Sequence, residues 1–345
     1  MDDLPSTQVE STNSDDESGG GVLATVIDAV RTYLGDVPAA IKKNVAKAFG
    51  HLMKIPNAYI DGRAAEVRAE SDARVALTKA TAKKLAASIE IDQSLGAIAA
   101  ATHASKILRQ QVNAAQVIGK AVEEIKKQPP PPDQEEATEI SDDWLNAFER
   151  EAIDMSSEHM QRLFGKILAG EIRRPKSYSI RTVKLMAQLD NRPAELFRRL
   201  CSLACSLRIA GHDVYDSRVI ALGKAATANG LQEFGLSFGD LNTLFEYGLI
   251  INDYNSYMMY VGSIVNEQGS VGMPIEYGGG LWALRSKTPM TVQQRIEVKM
   301  HGVALSRAGR ELIDIVDIEP DDAYTKALFA YFDTQGFTVS PVKVG

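Results

Sequence analysis

The chain lacks any run of apolar residues long enough to cross a membrane, since no stretch of 18 or more occurs in its 345 residues. It has only two cysteines, Cys201 and Cys205, which is typical of a protein from a reducing compartment. Its first residues are acidic and polar, unlike a secretory signal or a transit peptide. We therefore expect a cytoplasmic protein.

Sequence signatures of cofactor-dependent enzymes are also missing. The glycine–lysine pairs at Gly119, Gly165 and Gly223 are followed by Ile or Ala, so none completes a phosphate-binding loop. The five histidines are scattered, and none belongs to an HExxH motif. We expect no catalytic, cofactor-binding or metal-binding residues, which favours a non-enzyme, and a cryptic hydrolase stays open as a second alternative.

Two smaller groups of reactive side chains favour structural roles. Cys201 and Cys205 lie four residues apart on a predicted helix without histidine or cysteine partners, which favours buried structural cysteines over a zinc site. Asp213 and Asp216, near His212, are interpreted as turn-forming residues of a loop.

Charge is distributed in blocks of alternating sign. Residues 161–230 hold 13 Lys and Arg against five Asp and Glu, whereas residues 129–160 hold one base and ten acids, and residues 231–345 hold eight bases and 14 acids. Such blocks could neutralise one another, or the basic block could bind a polyanion. Both interpretations stay open at this point.

The N-terminal part is predicted to be helical after a disordered acidic tail at 1–20. Within the helical region 21–127, the basic amphipathic segment 22–55 could pack on its own protein or contact a membrane surface. The Ala-rich segment 57–127 predicts long helices, with Gly96 and Gly119 arguing against one unbroken rod. A helical hairpin and a coiled coil that binds a partner or a second copy are both open.

Four consecutive prolines open a Pro- and acid-rich linker at 128–140. A compact helical core is predicted at 141–210. Its clearest part is Ser156–Leu189, where the spacing of Leu, Ile and Phe predicts two helices, with Ser157 and Ser179 as cap candidates and Pro175 between them. A third helix is predicted from Pro193 to about Leu207.

The remaining residues suggest a winged-helix-like α+β domain at 211–318, followed by a helix and a short strand at 319–345. A helix is predicted at Ser217–Ala228 and another from Ser237 to Tyr247, followed by a long ribbon that would form an enlarged wing. The predicted fold class is therefore mainly α with this α+β region. Because the supposed recognition helix has no Lys or Arg, it favours protein contacts over DNA binding.

One surface could contact a polyanion. Five cations fall within twelve residues, around the predicted helix ends, and we call this set the basic turn: Arg173, Arg174, Lys176, Arg181 and Lys184. A solvated surface neutralised by nearby acids is the competing interpretation.

Three blocks of sequence resemble a bacterial family of unknown function: IPNAYIDGRAAEVRAE (55–70), DDWLNAFE (142–149) and SSEHMQRLFGKILAGEIRRPKSYSIRT (156–182). It is the domain-of-unknown-function family twenty-eight-oh-six. The LAGEI block is also distantly similar to the abortive-infection alpha family, which is linked to phage resistance. Neither resemblance implies catalytic residues.

The sequence therefore favours a non-enzymatic interaction or scaffold protein, with phage defence implied by the second resemblance. The alternative is a nucleic-acid-binding regulator that uses the basic 161–230 surface.

Overall fold

The computed structural model describes residues 39–53, 93–127, 138–209 and 213–342. The predicted tail at 1–20, most of the amphipathic segment 22–55, residues 56–92 and most of the linker lie outside the described residues. The described residues form two compact units, one ending at Ser177 and the other starting at Tyr178. In the described ranges, no helix combines the length and the apolar character that a membrane span requires.

The first unit is helical, as the sequence predicts. Its described helices are α1 (Ala39–Met53), α2 (Gln93–Lys127), α3 (Asp142–Ala152) and α4 (Glu158–Arg173). The helix α2 runs without a break through Gly96 and Gly119, so the expectation that these glycines interrupt it is wrong. Ser157 caps α4 by accepting a hydrogen bond from the Met160 amide, as predicted.

Aromatic stacking and one buried amide organise this unit. The Trp144 and Phe148 rings stack at 4.9 Å, and Phe148 contacts Phe164 at 5.5 Å. The buried Asn44 side chain donates to the Thr138 carbonyl and accepts from the Ile140 amide, each at 3.2 Å. The second bond satisfies the amide of the buried Ile140 just before α3, where leaving it unpaired would cost stability.

The second unit combines short helices with one sheet. Its helices are α5 (Ile180–Ala187), α6 (Asn191–Leu203), α7 (Phe238–Glu246), α8 (Val292–Ile296), α9 (Arg307–Leu312) and α10 (Asp322–Thr334). Its strands are β1 (Cys205–Ile209), β2 (Asp213–Ile220), β3 (Ser256–Met259), β4 (Ile275–Tyr277), β5 (Gly280–Ser286), β6 (Lys299–Ala304) and β7 (Phe337–Pro341).

The seven strands of the described residues belong to one antiparallel sheet in the order β3-β6-β2-β1-β4-β5-β7, which curls into a half-barrel. Leu207 of β1 pairs with Asp216 of β2 on one side and with Ile275 of β4 on the other, so these three side chains lie on one face of the sheet. The neighbours β1 and β4 are joined by long-range pairing, which no local sequence signal encodes.

The predicted winged-helix-like fold for 211–318 is wrong. The strand β1 precedes that range and pairs with β2 inside it, while β7 follows the range and forms an edge of the same sheet. The helix predicted at Ser217–Ala228 is instead the end of β2 and a short 3₁₀ turn. The predictions of α7, and of a helix and a short strand within 319–345, are confirmed.

The start of α10 gives a pH-dependent prediction. The Asp321 carboxylate accepts from the Tyr324 amide and from the Arg199 guanidinium, each at 2.6 Å. The Tyr324 bond and then the Arg199 interactions hold the Asp321 pKa below its usual value, against the opposing effect of burial. Because the folded pKa is lowered, this stabilisation is complete above the unfolded pKa of about 3.9 and is lost as the pH falls below it.

We therefore expect Asp321→Asn, which keeps a capping side chain, to flatten the acid limb of the stability profile. Unfolding midpoints measured between about pH 5 and pH 2 should fall less steeply in the variant than in the unmodified chain. Parallel profiles for the two proteins would contradict the prediction. Asp322→Asn, in the same helical turn, is the matched control.

Candidate functional site

The first part of the basic turn lies at the end of α4. Arg173 is the last residue of the helix, and its Nε donates to the Ala169 carbonyl at 3.3 Å. The exposed Lys176 has a left-handed backbone with φ of 75°, and its amide donates to the buried Glu171 carboxylate at 2.6 Å. A carboxylate therefore already binds the amide that this turn would offer to a phosphate.

The second part of the basic turn lies on α5, where Arg181 and Lys184 are exposed. The α5 N-terminus is capped by Ser179, as predicted. The Glu311 carboxylate accepts from the Ser179 amide at 2.7 Å and from the Thr182 hydroxyl at 2.6 Å. The helix end is therefore already bound by an anionic side chain.

The unit boundary falls between Lys176 and Arg181, so the two parts of the basic turn belong to different units. Each part has a glutamate bound to its backbone, which lowers the local positive charge. Both glutamates were missed from the sequence as members of this surface; Glu311 lies 132 positions beyond Ser179. The polyanion contact stays a prediction.

Much of the basic block at 161–230 is paired with carboxylates within the second unit. The pairs are Arg192–Asp240, Arg198–Glu319, Arg199–Asp321, Arg208 with Glu276 and Asp314, Arg218–Asp216, and Lys224–Glu233. Most of these acids belong to the acidic block that follows residue 230. The contacts favour the self-neutralising interpretation of the charge blocks over a continuous polyanion-binding surface.

The sheet holds a buried charged pair that sequence reasoning did not find. Asp216 and Arg218 lie two residues apart on β2 and form two hydrogen bonds, at 2.6 and 2.8 Å, with 4% and 3% of their side chains exposed. Arg218 also donates to the Ser256 and Met300 carbonyls at 2.8 and 3.2 Å. Asp213 and Asp216 are therefore strand residues, which corrects their interpretation as loop residues.

Cys205 and Tyr260 have no access to solvent. Burial raises the pKa of the Cys205 thiol, with a smaller contribution from the Asp216 charge. Burial likewise raises the pKa of Tyr260, whose hydroxyl has no hydrogen-bond partner among the described residues. Since the thiol stays protonated and inaccessible, it is a poor nucleophile or metal ligand.

The burial of Cys201 and Cys205 confirms the structural interpretation of both cysteines. Their placement on one helix is wrong, because α6 ends at Leu203 and Cys205 begins β1. Among the described residues, no three His, Cys, Asp or Glu side chains lie close enough to hold a metal ion.

On α7, the supposed recognition helix, two of the polar side chains already have partners. Asp240 completes the capping box with Ser237, and Asn242 accepts from the Tyr254 hydroxyl at 2.8 Å.

The helix α2 has two different halves. Its C-terminal half is buried in the first unit through Val117, Ile118 and Ile125. In contrast, every residue from 98 to 109 is exposed, including Ile98 at 64% and Leu108 at 54%. At 1.5 Å per residue this exposed half is about 18 Å long. We call residues 98–109 the exposed half of α2.

Comparison with known proteins gives one family. The profile of the family described as "Protein of unknown function (DUF2806)" matches residues 100–329, which are 230 of the 345 residues. The curated proteins and the solved structures contain no significant match to this chain. The resemblance to the abortive-infection alpha family finds no support in these comparisons. Because its profile covers both the α2–α4 helices and the sheet as far as α10, the chain belongs to the DUF2806 family.

Proposed function

We propose that this chain is a non-enzymatic interaction protein, and that the exposed half of α2 binds an acidic amphipathic helix of a partner protein. The observation that supports the proposal is the run of twelve exposed helical residues that contains Ile98, Ile107 and Leu108. Large apolar side chains concentrated on an exposed element are typical of interaction surfaces. Short helical segments are also marginally stable in water, so a packing partner would stabilise this one.

The order of residues on the exposed half suits a helical partner. Ile98, Ala101, Ser105 and Leu108 are separated by three, four and three residues, so they lie along one side of the helix. The small side chains of Ala101 and Ser105 would let a second helix approach between the two larger residues. We call these four residues the seam.

The positive charge of the exposed half of α2 favours an acidic partner. Residues 93–122 contain no Asp or Glu, and the exposed half carries Lys106 and Arg109. A second copy would therefore bring like charges together, whereas an acidic helix would pair with them. Charge complementarity of this kind raises the association rate and excludes wrong partners more than it adds affinity.

Site-specific photo-cross-linking in the source cells tests the proposal. A photoreactive residue at Ala101, within the seam, should cross-link one partner protein at an acidic amphipathic helix identified by mass spectrometry. The same residue at the exposed Ala99, two residues away and so nearly on the opposite side of α2, is the matched control and should cross-link much less. The double variant Lys106→Glu/Arg109→Glu should reduce the Ala101 cross-link about tenfold, because repulsion replaces attraction.

Three outcomes would contradict the proposal: equal cross-linking from both positions, cross-linking mainly to a second copy, or no effect of charge reversal. If a gel-shift assay at low salt showed DNA binding, and Arg181→Glu/Lys184→Glu abolished that binding, the result would instead favour the nucleic-acid-binding alternative.

A role in phage defence stays a prediction, which phage plating efficiency on a strain lacking the gene would test.

A further inference from the structure

The strand β3 forms one edge of the sheet, and the hydrogen bonds of its neighbour β6 determine which way its backbone groups point. The His301 carbonyl accepts from the Ala221 amide at 3.0 Å, so His301 directs its main chain toward β2. The Val298 carbonyl accepts from Tyr260 at 3.1 Å, on the β3 side. Main-chain direction alternates along a strand, so Met300 and Gly302 also face β3.

The register then assigns the backbone of β3. Met258 pairs with Met300 and directs its main chain toward β6, whereas Tyr257, opposite His301, and Met259, opposite Lys299, direct theirs away from the sheet. No described residue forms a hydrogen bond with the main-chain amide or carbonyl of Tyr257 or Met259. Two amides and two carbonyls are therefore offered to a further strand.

The two edges of the sheet differ in their protection. At the β7 edge, Val342 donates to the Leu281 carbonyl, so the main chain of the neighbouring Pro341 points outward, where proline has no amide to offer. The β3 sequence SYMM has neither proline nor a charged residue. Edge strands are ordinarily protected by such residues against pairing with other chains.

Exposed apolar side chains lie on and beside this edge. Tyr257 is 50% and Met259 is 47% exposed, and Val261, just beyond β3, is also exposed. The Tyr257 ring is held by the Lys299 ammonium, 4.4 Å from the ring centroid, and by the His301 ring at 5.3 Å. An open edge with an ordered aromatic residue favours strand pairing over contact with water alone.

We propose that a second copy of this chain pairs with β3, antiparallel, about a two-fold axis at Met258. In this arrangement, Tyr257 of each copy lies opposite Met259 of the other and exchanges both main-chain hydrogen bonds with it, giving four bonds. The same strand supplies complementary groups to itself, as a two-fold interface requires. Each tyrosine ring would also contact a methionine sulfur of the other copy.

The charges beside the edge allow this pairing. Each Lys299 lies on β6, so the Cα atoms of the two lysines would be separated by three strand spacings, which is about 14 Å. That distance exceeds the screening length of about 8 Å in physiological salt. The helix interface proposed above is independent, because Leu108→Glu should leave this dimer intact.

Sedimentation of the full chain over a concentration series tests the proposal, with a concentration-dependent dimer as the expected result. Met259→Pro removes an outward amide, and therefore two hydrogen bonds per dimer, so it should weaken dimerisation about tenfold or more. It should leave the monomer's melting temperature nearly unchanged. Met258→Pro removes an amide that points into the sheet, and should lower that temperature.

A cross-link then fixes the register. In the proposed dimer the two Met258 residues face each other as a non-hydrogen-bonded pair with Cα atoms about 4.5 Å apart, close enough for a disulfide. Met258→Cys should oxidise to a covalent dimer, while Val261→Cys, displaced by six residues from its own copy, should not. A chain that stays monomeric at every concentration, or equal cross-linking at both positions, would overturn the proposal; the first result would assign the edge to another protein's peptide.

Discussion

Replacement of Asp216 by alanine is expected to lower the free energy of unfolding of the second unit by about 3–5 kcal/mol, because it leaves the Arg218 charge buried without a carboxylate. The guanidinium has only 3% exposure, so water cannot replace the two lost hydrogen bonds. The carbonyls of Ser256 and Met300 would remain as its neutral acceptors. We expect the loss to be concentrated where β2, β6 and β3 adjoin.

Urea unfolding followed by tryptophan fluorescence measures this effect. The chain has one tryptophan in each unit, Trp144 and Trp282, so a Trp144→Phe background makes the fluorescence report on the second unit. Glu233→Ala, which removes the carboxylate of the exposed Lys224–Glu233 pair, is the matched control and should cost less than about 1 kcal/mol.

The pair as a whole should be worth far less than the loss of one partner suggests. We expect the apolar double variant Asp216→Leu/Arg218→Met to be more stable than Asp216→Ala, because it removes both buried charges. If Asp216→Ala cost no more than Glu233→Ala, Arg218 would have another source of compensation and the burial argument would fail. The role of the pair would then be to align strands and not to neutralise charge.

The sequence predicts local structure well where the signals are local. The helices α4 and α5 follow from the periodic apolar residues, the serine caps and Pro175, all within one short segment. The buried stripe of α6 continues in sequence to Leu207 at helical spacing, and no proline or glycine marks the point where α6 changes to β1. The prediction of that helix therefore ran four residues too far.

The sheet could not be derived in the same way. Its strands contain three to eight residues, and β1 pairs with β4 across about seventy positions of sequence. The order of helix, short apolar segment and ribbon fits a winged helix locally, but this local order does not specify which strands pair. The Glu311 carboxylate at the basic turn was missed for the same reason, since it reaches Ser179 only through the tertiary fold.

The family-like motif LFGKILAGEI contains a glycine whose importance only the structure explains. Gly165 lies inside α4, where a helix would ordinarily gain about 0.5–1 kcal/mol from alanine. A Cβ atom at this position would lie 2.6 Å from the Lys120 Cβ and 3.0 Å from the Ala121 amide nitrogen. These atoms belong to α2 and cannot rotate away, so α2 and α4 would have to separate.

Gly165→Ala is therefore expected to destabilise the first unit by about 1–3 kcal/mol, despite its better helix propensity. Gly119 lies inside α2 with open space around its Cβ position, so Gly119→Ala should stabilise the same unit by about 0.5–1 kcal/mol. Urea unfolding in a Trp282→Phe background, with Trp144 as the reporter, would measure both. The same substitution would then have opposite signs on two packed helices. Equal signs would mean that α2 and α4 do not approach as closely as the Gly165 contact requires.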